Sequence, residues 1–356
     1  MVDLVNALCD QYDITIFTIY AKGELEKQLS KTVKLKSLYG VSYSELSNFQ
    51  KHFSVPLKLL LLKKYIYNKK IKKDYDLEIA FLEGPITRLF SSKNKNTRKL
   101  AWVHNDISVV FGDGIKSKLK KEIDKKIYEK YETLIFVSQD NMKKFKSIYN
   151  EKKIKSINKI VIYNYIDKNS IIKKAQQKML ENFDGNTTNF VTVARLVKQK
   201  GIDRLIDIHN KLIKEGIDNN IYVIGDGPEK TKLEKKIREK NLENTFFLLG
   251  KKENPYPYIK HADYFCLLSY FEGYGMVLEE AKILNKPIII TDTAAREAIN
   301  GYKNSTVLGN SKEEIYEGLK KIILKNRVNL DNNQEDDKSS YDNSSILKEV
   351  MDLIEK

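Results

Sequence analysis

The chain has no apolar run approaching the ~20 residues that a membrane-spanning helix needs; runs such as Leu59–Leu62 are far too short. Only two of its 356 residues are cysteines, Cys9 and Cys266. They are far apart and each lies in an apolar stretch. A disulfide framework is thereby excluded, and two free core cysteines in a reducing compartment are expected. The opening MVDLVNALCDQYD carries Asp3 and Asp10 and lacks a basic leader, so it does not read as a signal peptide. Acid is scarce in one part of the chain. Residues 1–200 hold 39 basic and 21 acidic side chains, a net +18, against 24 and 27, a net −3, in residues 201–356. This asymmetry points to an anionic partner for the first part alone. Nucleic acid and an anionic membrane surface are the two candidates. Zinc-finger spacing, an RNA-recognition signature and a helix-turn-helix pattern are all missing, so nucleic acid is set aside.

What is present is enough to build two cores. Hydrophobic residues make up 41% and charged residues 31% of a chain too long for one ordinary domain. In the C-terminal half, apolar β-rich runs alternate with helical patterns. Strands are expected at 189–194, 221–224, 244–249, 263–268, 286–291 and 305–308. Helices are expected at 203–214, 229–240, 276–284 and 312–323. Short connections between them imply βαβ units and a parallel, doubly wound sheet. The N-terminal half repeats the theme less cleanly, with a helix at 2–8 and strands at 13–17, 78–82, 99–103, 133–137 and 159–163. The expected domains are 1–165 and 189–328, joined by a polar linker at 166–188. A second polar linker and a final helix occupy 329–356, and the helix is free to pack on either domain. Ligands of such sheets sit at the carboxyl ends of the strands.

Three segments carry chemistry. Strand 189–194 ends at Arg195, and Lys200 and Gly201 follow at the start of a helix. A strand-end guanidinium and a lysine at a helix N-terminus suit a diphosphate, although a lysine-rich surface gives such pairs by chance. Gly225 and Gly227, in IGDGP, fit either a plain βα turn or a nucleotide loop. The third glycine of the dinucleotide fingerprint is missing, which disfavours a nicotinamide or flavin enzyme. The third segment is EGYGMVLEE, Glu272–Glu280. Gly273 and Gly275 let backbone N–H groups come close to phosphate or sugar oxygens across the loop Gly273, Tyr274, Gly275 and Met276. Glu280 is expected on one helical row with Met276 and Leu284, bordering the sheet-facing side, while Glu279 is expected to be exposed. A carboxylate at Glu280 is costly there unless it binds something, and a ribose diol is a good partner.

The order of Arg195, Lys200–Gly201, GDGP and E-G-Y-G-x-V-L-x-E-A, followed by TDTAAREAI, resembles glycosyltransferase family 4 over nearly all of residues 189–325. The resemblance implies an α/β GT-B fold, two facing Rossmann-like domains with a cleft between them. It implies retaining transfer from a nucleotide-diphosphate sugar, UDP-linked by expectation, with no cofactor and no metal. Arg195 and Lys200 would hold the diphosphate, Glu280 the ribose hydroxyls and Glu272 the donor sugar. TDTAARE departs from the family, which usually has glycines near Ala294–Ala295. More loosely, DLEIAFLEG, AWVHND, VSQ and IYNYID in the first half resemble bacterial enzymes that build capsular and other surface polysaccharides. His104, after a strand end, would then face the donor sugar, with Asn105 and Asp106 weaker candidates. The family opens with a strand and a glycine-rich loop, whereas Met1 here begins inside the first helix, so the first strand is expected to be missing.

Residues 51–73 contain eight lysines and no acid. Leu57, Leu60 and Leu61 fall at i, i+3 and i+4, with Tyr65 one turn on. This reads either as an amphipathic helix on an anionic bilayer or as leucines packed on the domain beneath solvated lysines. Lys116–Lys130 is a second, more mixed basic helix. The expected function is hexose transfer to a lipid-linked oligosaccharide or glycan acceptor in surface polysaccharide synthesis. The expected location is cytoplasmic, peripheral on the inner membrane face. The alternative is a truncated, non-catalytic donor-binding partner of another membrane-associated glycosyltransferase.

Overall fold

The computed structural model describes residues 1–71, 75–92, 94, 96–104, 115–149, 154, 156–179, 183–328 and 343–356. The chain forms two compact units. One is Met1–Ile166 with Asn343–Lys356, and the other is Asp167–Asp342.

The first unit begins with α1 (Val2–Leu8), β1 (Thr15–Tyr20), β2 (Lys34–Tyr39) and α2 (Val55–Leu61). It continues through β3 (Leu77–Ala80), α3 (Pro85–Phe90), β4 (Arg98–Val103), α4 (Ile115–Tyr128), β5 (Thr133–Phe136), α5 (Gln139–Ile148) and β6 (Asn158–Val161). All strand pairings are parallel. The strands form two separate sheets, β1-β2 and β3-β4-β5-β6. Phe17 and Tyr39 from the small sheet pack against the core under the large one, which includes Phe90, Leu134, Phe136 and Phe145. Ser138 caps α5 by accepting from the Asn141 N–H at 3.0 Å.

One buried polar cluster ties this unit together. The Lys99 Nζ donates to Glu78 Oε2 at 2.5 Å, to the Tyr67 hydroxyl at 3.0 Å and to the Phe90 carbonyl at 2.8 Å. The Tyr67 hydroxyl donates to Glu78 Oε1 at 2.5 Å. Glu78 and Lys99 lie on paired strands, in register with one another. Removing one member of such a pair leaves a buried uncompensated charge.

The second unit runs through α6 (Lys168–Lys174), β7 (Thr188–Val193), α7 (Ile202–Lys214), β8 (Asn219–Ile224), α8 (Lys230–Glu239) and β9 (Phe246–Gly250). It then adds α9 (Tyr256–His261), β10 (Tyr264–Leu267), α10 (Met276–Ile283), β11 (Ile288–Thr291), β12 (Ser305–Leu308) and α11 (Lys312–Val328). The sheet order is β12-β11-β10-β7-β8-β9, parallel throughout. The strand order reverses between β7 and β10, the switch point at which ligands bind in doubly wound sheets. Every residue of β8 and β11 is buried, as expected of a sheet covered on both faces. His209 is fully buried on α7, with Nδ1 2.9 Å from Asn219 Oδ1 and Nε2 2.9 Å from Thr245 Oγ1. The stretch expected to be a linker is partly helical. Asp167 caps α6 by accepting from the Ser170 N–H at 3.0 Å.

The last helix, α12 (Asn343–Glu355), belongs to the first unit. It buries Ile346, Val350 and Leu353. Arg98 donates to the Ile354 carbonyl at 3.0 Å and to the Leu353 carbonyl at 3.3 Å. The polar stretch before it lies outside the described residues. Cys266 is buried as expected, and burial raises its thiol pKa to about 12. Cys9 departs from expectation, being only half-buried at the end of α1 and donating to the Asn6 carbonyl at 3.2 Å.

Two outcomes test this packing. Leu59 is 5% exposed and Leu61 69% exposed on the same short helix. Leu59→Ala should cost about 3 kcal/mol in denaturant unfolding and Leu61→Ala within about 0.5 kcal/mol. Burial lowers the His209 pKa to about 4. The unfolded imidazole binds its proton near pH 6.5 and the folded one only near 4, so the unfolded state holds more protons in between. Stability from this group is therefore complete above about pH 6.5 and falls by up to about 3 kcal/mol on acidification toward pH 4. His209→Gln should flatten that part of the stability–pH curve.

Candidate functional site

The site residues of the second unit gather at the carboxyl edge of β7 and β10. These strands are paired, Phe190 with Tyr264 and Val191 with Phe265, so the loops that leave them are neighbours. The loop after β7 carries Arg195 and Lys200. The loop after β10 carries Glu272. The Lys200 Nζ meets Glu272 Oε2 at 2.5 Å, and the Ser269 hydroxyl donates to the same oxygen at 3.1 Å. Arg195 is exposed and has no side-chain hydrogen bond or ion pair among the described residues. α7 and α10 begin beside these loops, so two helix N-termini face the same edge. Their free N–H groups and dipoles favour an anion there.

Backbone packed on backbone fixes these loops. Gly201 takes a φ of +68°, and a Cβ on it would lie 2.4 Å from the Leu268 carbonyl oxygen. A Cβ on Gly227 would lie 2.4 Å from the Leu196 carbonyl oxygen, and Gly225 abuts that of Ala194 still more closely. The IGDGP turn thus uses its glycines to reach the strand exit that holds Arg195. The Leu196 N–H donates to the Asp226 carbonyl at 2.9 Å and the Glu229 N–H to the Leu196 carbonyl at 3.1 Å.

Sequence reasoning missed Arg204, which is 1% exposed on α7. Its guanidinium donates to the Leu268 carbonyl at 2.7 Å, the Ser269 carbonyl at 2.8 Å, the Asn310 carbonyl at 2.8 Å and Asn310 Oδ1 at 2.7 Å. It also stacks on Tyr270, 4.1 Å from the ring centre. The Thr291 hydroxyl donates to the Ser269 carbonyl at 2.6 Å. The Gln199 amide donates to the Phe271 carbonyl at 3.0 Å. Arg204 falls on one helical row with buried Ile208 and Leu212, four and eight residues on, and that row was the available signal.

The helix after Glu272 corrects one expectation. Glu279, not Glu280, is the buried carboxylate, 2% exposed. It accepts from the Tyr274 hydroxyl at 2.5 Å and pairs with Lys282 at 2.8 Å. Met276, expected on the row bordering the sheet-facing side, is 44% exposed. Glu280 is half-buried. Helix start explains the shift. Gly275 adopts φ +71° and caps α10, which turns Leu278, Glu279 and Ala281 inward. Gly273 is exposed, and Tyr274 is drawn inward by its hydrogen bond to Glu279.

His104 belongs to the first unit, at the carboxyl end of β4. Its backbone N–H donates to Glu83 Oε1. The ring lies 4.7 Å from that of Phe81 and 6.1 Å from that of Trp102. Burial lowers its pKa to about 4, so it is a neutral imidazole at physiological pH. Asn105 and Asp106 lie outside the described residues.

Residues 173–337 match the family model described as Glycosyl transferases group 1. An uncharacterized glycosyltransferase of Methanocaldococcus jannaschii is 31% identical over 218 residues, 60% of this chain and 53% of that protein. The chain thus spans about half the length of that relative. A Campylobacter jejuni protein is 25% identical over 287 residues, 77% of this chain and 73% of its own length. It is named as an N-acetylgalactosamine-N,N'-diacetylbacillosaminyl-diphospho-undecaprenol 4-alpha-N-acetylgalactosaminyltransferase. The crystal structure of Anabaena Alr3699/HepE in complex with UDP and glucose is similar in fold, with a TM-score of 0.69 at 16% identity over 99% of this chain and 94% of that one. The architecture is GT-B, an α/β fold of two Rossmann-like domains.

A proton NMR titration should place the His104 pKa near 4. A value near the unperturbed ~6.5 would show that the ring is solvated instead.

Proposed function

We propose that this chain is a glycosyltransferase that takes its sugar, a hexose, from a nucleotide-diphosphate donor, UDP-linked in our reading. Transfer proceeds with retention to a lipid-linked or other glycan acceptor in surface polysaccharide synthesis, at the inner face of the membrane. The observation that carries the reading is the Lys200–Glu272 pair on the same edge as exposed Arg195, at the β7–β10 switch point. Two cations and two helix N-termini converge where a diphosphate would lie. The match of residues 173–337 to the group 1 glycosyl transferases supports it. So does the diphospho-undecaprenol acceptor in the Campylobacter relative's name.

The residues divide the work. Arg195 forks onto the diphosphate and Lys200 adds a point charge. Both stabilise the charge that develops on the leaving nucleoside diphosphate, so no metal and no cofactor is assigned a role. When the diphosphate takes the ammonium of Lys200, the Glu272 carboxylate is released to accept hydrogen bonds from the donor sugar. Glu280 accepts from the ribose hydroxyls, and the Gly273–Gly275 backbone approaches the donor. His104, as a neutral imidazole, serves as a hydrogen-bonding group toward the donor sugar.

Hydrolysis of a panel of UDP- and GDP-sugars and calorimetry with UDP and GDP test the reading. Arg195→Ala should lower turnover about 100-fold, the scale of losing one preorganised donor to developing charge. Glu280→Ala should weaken nucleotide binding about tenfold, on the order of 1.4 kcal/mol. Chelation with EDTA should leave turnover unchanged. Wild-type rates and affinities in both variants would sink the assignment. Nucleotide binding without any turnover would show a non-catalytic donor-binding protein instead.

A further inference from the structure

The segment from Phe49 to Ile71 divides its apolar residues between two destinations. Val55, Leu59, Tyr67 and Ile71 are buried, at 4%, 5%, 0% and 1% exposure. They enter the core of the first unit, and the Tyr67 hydroxyl joins the buried Lys99–Glu78 pair. Phe49, Phe53, Leu57, Leu60, Leu61 and Tyr65 instead stand in solvent, at 65%, 56%, 39%, 47%, 69% and 59% exposure. The leucines that sequence periodicity singled out are therefore not the ones that pack on the domain. The Phe49 and Phe53 rings lie 5.4 Å apart between centres, tilted by 34° to one another. An apolar ridge of this kind, on a unit whose own core is already filled, marks an interaction surface.

The charges around the ridge choose its partner. Lys58, Lys64, Lys69 and Lys70 are exposed among these side chains, and residues 51–73 contain no acid. Lys69 reaches the Tyr65 hydroxyl at 3.0 Å. In a two-fold pairing the same patch would meet itself, placing lysine against lysine with no carboxylate from the segment to answer them. An anionic bilayer answers both features. Its interface takes an apolar face 5–10 Å deep, and its headgroups attract the lysines.

We infer that residues 49–65 form the surface by which this chain lies on an anionic membrane, with Phe53, Leu57, Leu60 and Leu61 entering the interface and Lys58 and Lys64 on its headgroups. This deepens the function proposed above, on which it rests for the acceptor's place at a membrane. The buried row of Val55, Leu59 and Tyr67 fixes the segment on the domain, so binding needs no refolding. Tyr65 sits at the rim with an apolar body and a polar tip.

The test is co-sedimentation of the full chain with phosphatidylcholine vesicles and with vesicles containing phosphatidylglycerol, without any nucleotide sugar. Binding should favour the anionic vesicles and weaken as salt is raised. Lys58→Gln/Lys64→Gln should lower the anionic partition roughly 25-fold, at about 1 kcal/mol for each lysine. Leu57→Ser/Leu60→Ser/Leu61→Ser should lower it at least as far, with an unchanged unfolding midpoint because those positions are exposed. In Phe53→Trp, tryptophan emission should shift to the blue on anionic vesicles. Unchanged binding by the leucine variant overturns the inference, as does equal binding to neutral vesicles. A concentration-dependent dimer that the leucine variant dissolves, without vesicle binding, overturns it in favour of a second copy. The assay is separable from catalysis. Vesicle binding with no donor hydrolysis sinks the enzyme reading and leaves this surface standing.

Discussion

The carboxyl edge of the six-stranded sheet depends on loops packed backbone to backbone. Gly201, Gly225 and Gly227 each lie where a Cβ would meet a carbonyl of the neighbouring loop at 2.4 Å or less. Contacts that close admit only glycine. They leave the exits of β7, β8 and β10 as one unit, and the candidate site is built on that unit. The positions of Arg195 and Glu272 follow from it, because each is only a residue or a few removed from a locked backbone.

Charge burial then separates two arginines that the sequence presents nine residues apart. Arg204 is inside, and its guanidinium is used up on carbonyls of the β10 and β12 loops. Arg195 is outside, with its donors facing solvent. A buried guanidinium is costly unless its donors are met, so Arg204 holds the loop and has nothing left for a ligand. The same division recurs between Glu279, closed off by Tyr274 and Lys282, and Glu272, which shares its partner Lys200 with an open edge.

Much of this architecture is legible in sequence. Strands such as IIIT and NFVTV announce themselves because both faces of the sheet are covered, and the run from Glu272 to Glu280 marks the β10 loop. β2, Lys34–Tyr39, was not legible. Leu38 is its only buried residue, so neither alternation nor an apolar run appears. Arg204 was passed over and Glu279 misjudged for one common reason. Charged side chains on a helix are read as solvent-facing, and only tertiary neighbours decide otherwise. The exposed leucines of residues 57–61 show the converse. Periodicity finds an apolar stripe and does not say whether a core or something outside the chain will cover it.

The Lys200–Glu272 pair has a consequence for how a donor would bind. A cation left open to solvent must lose its water before it meets phosphate, and a carboxylate left open competes for nothing. Paired, each keeps the other in place at 18% and 10% side-chain exposure. In the function proposed above, a diphosphate arriving at Lys200 would exchange one anion for another, so the lysine's desolvation would already be settled and the net change on that group small. The exchange would set Glu272 free at the moment the sugar arrived beside it. In this account exposed Arg195 would supply most of the affinity for the diphosphate, and Lys200 would couple its arrival to the release of the carboxylate.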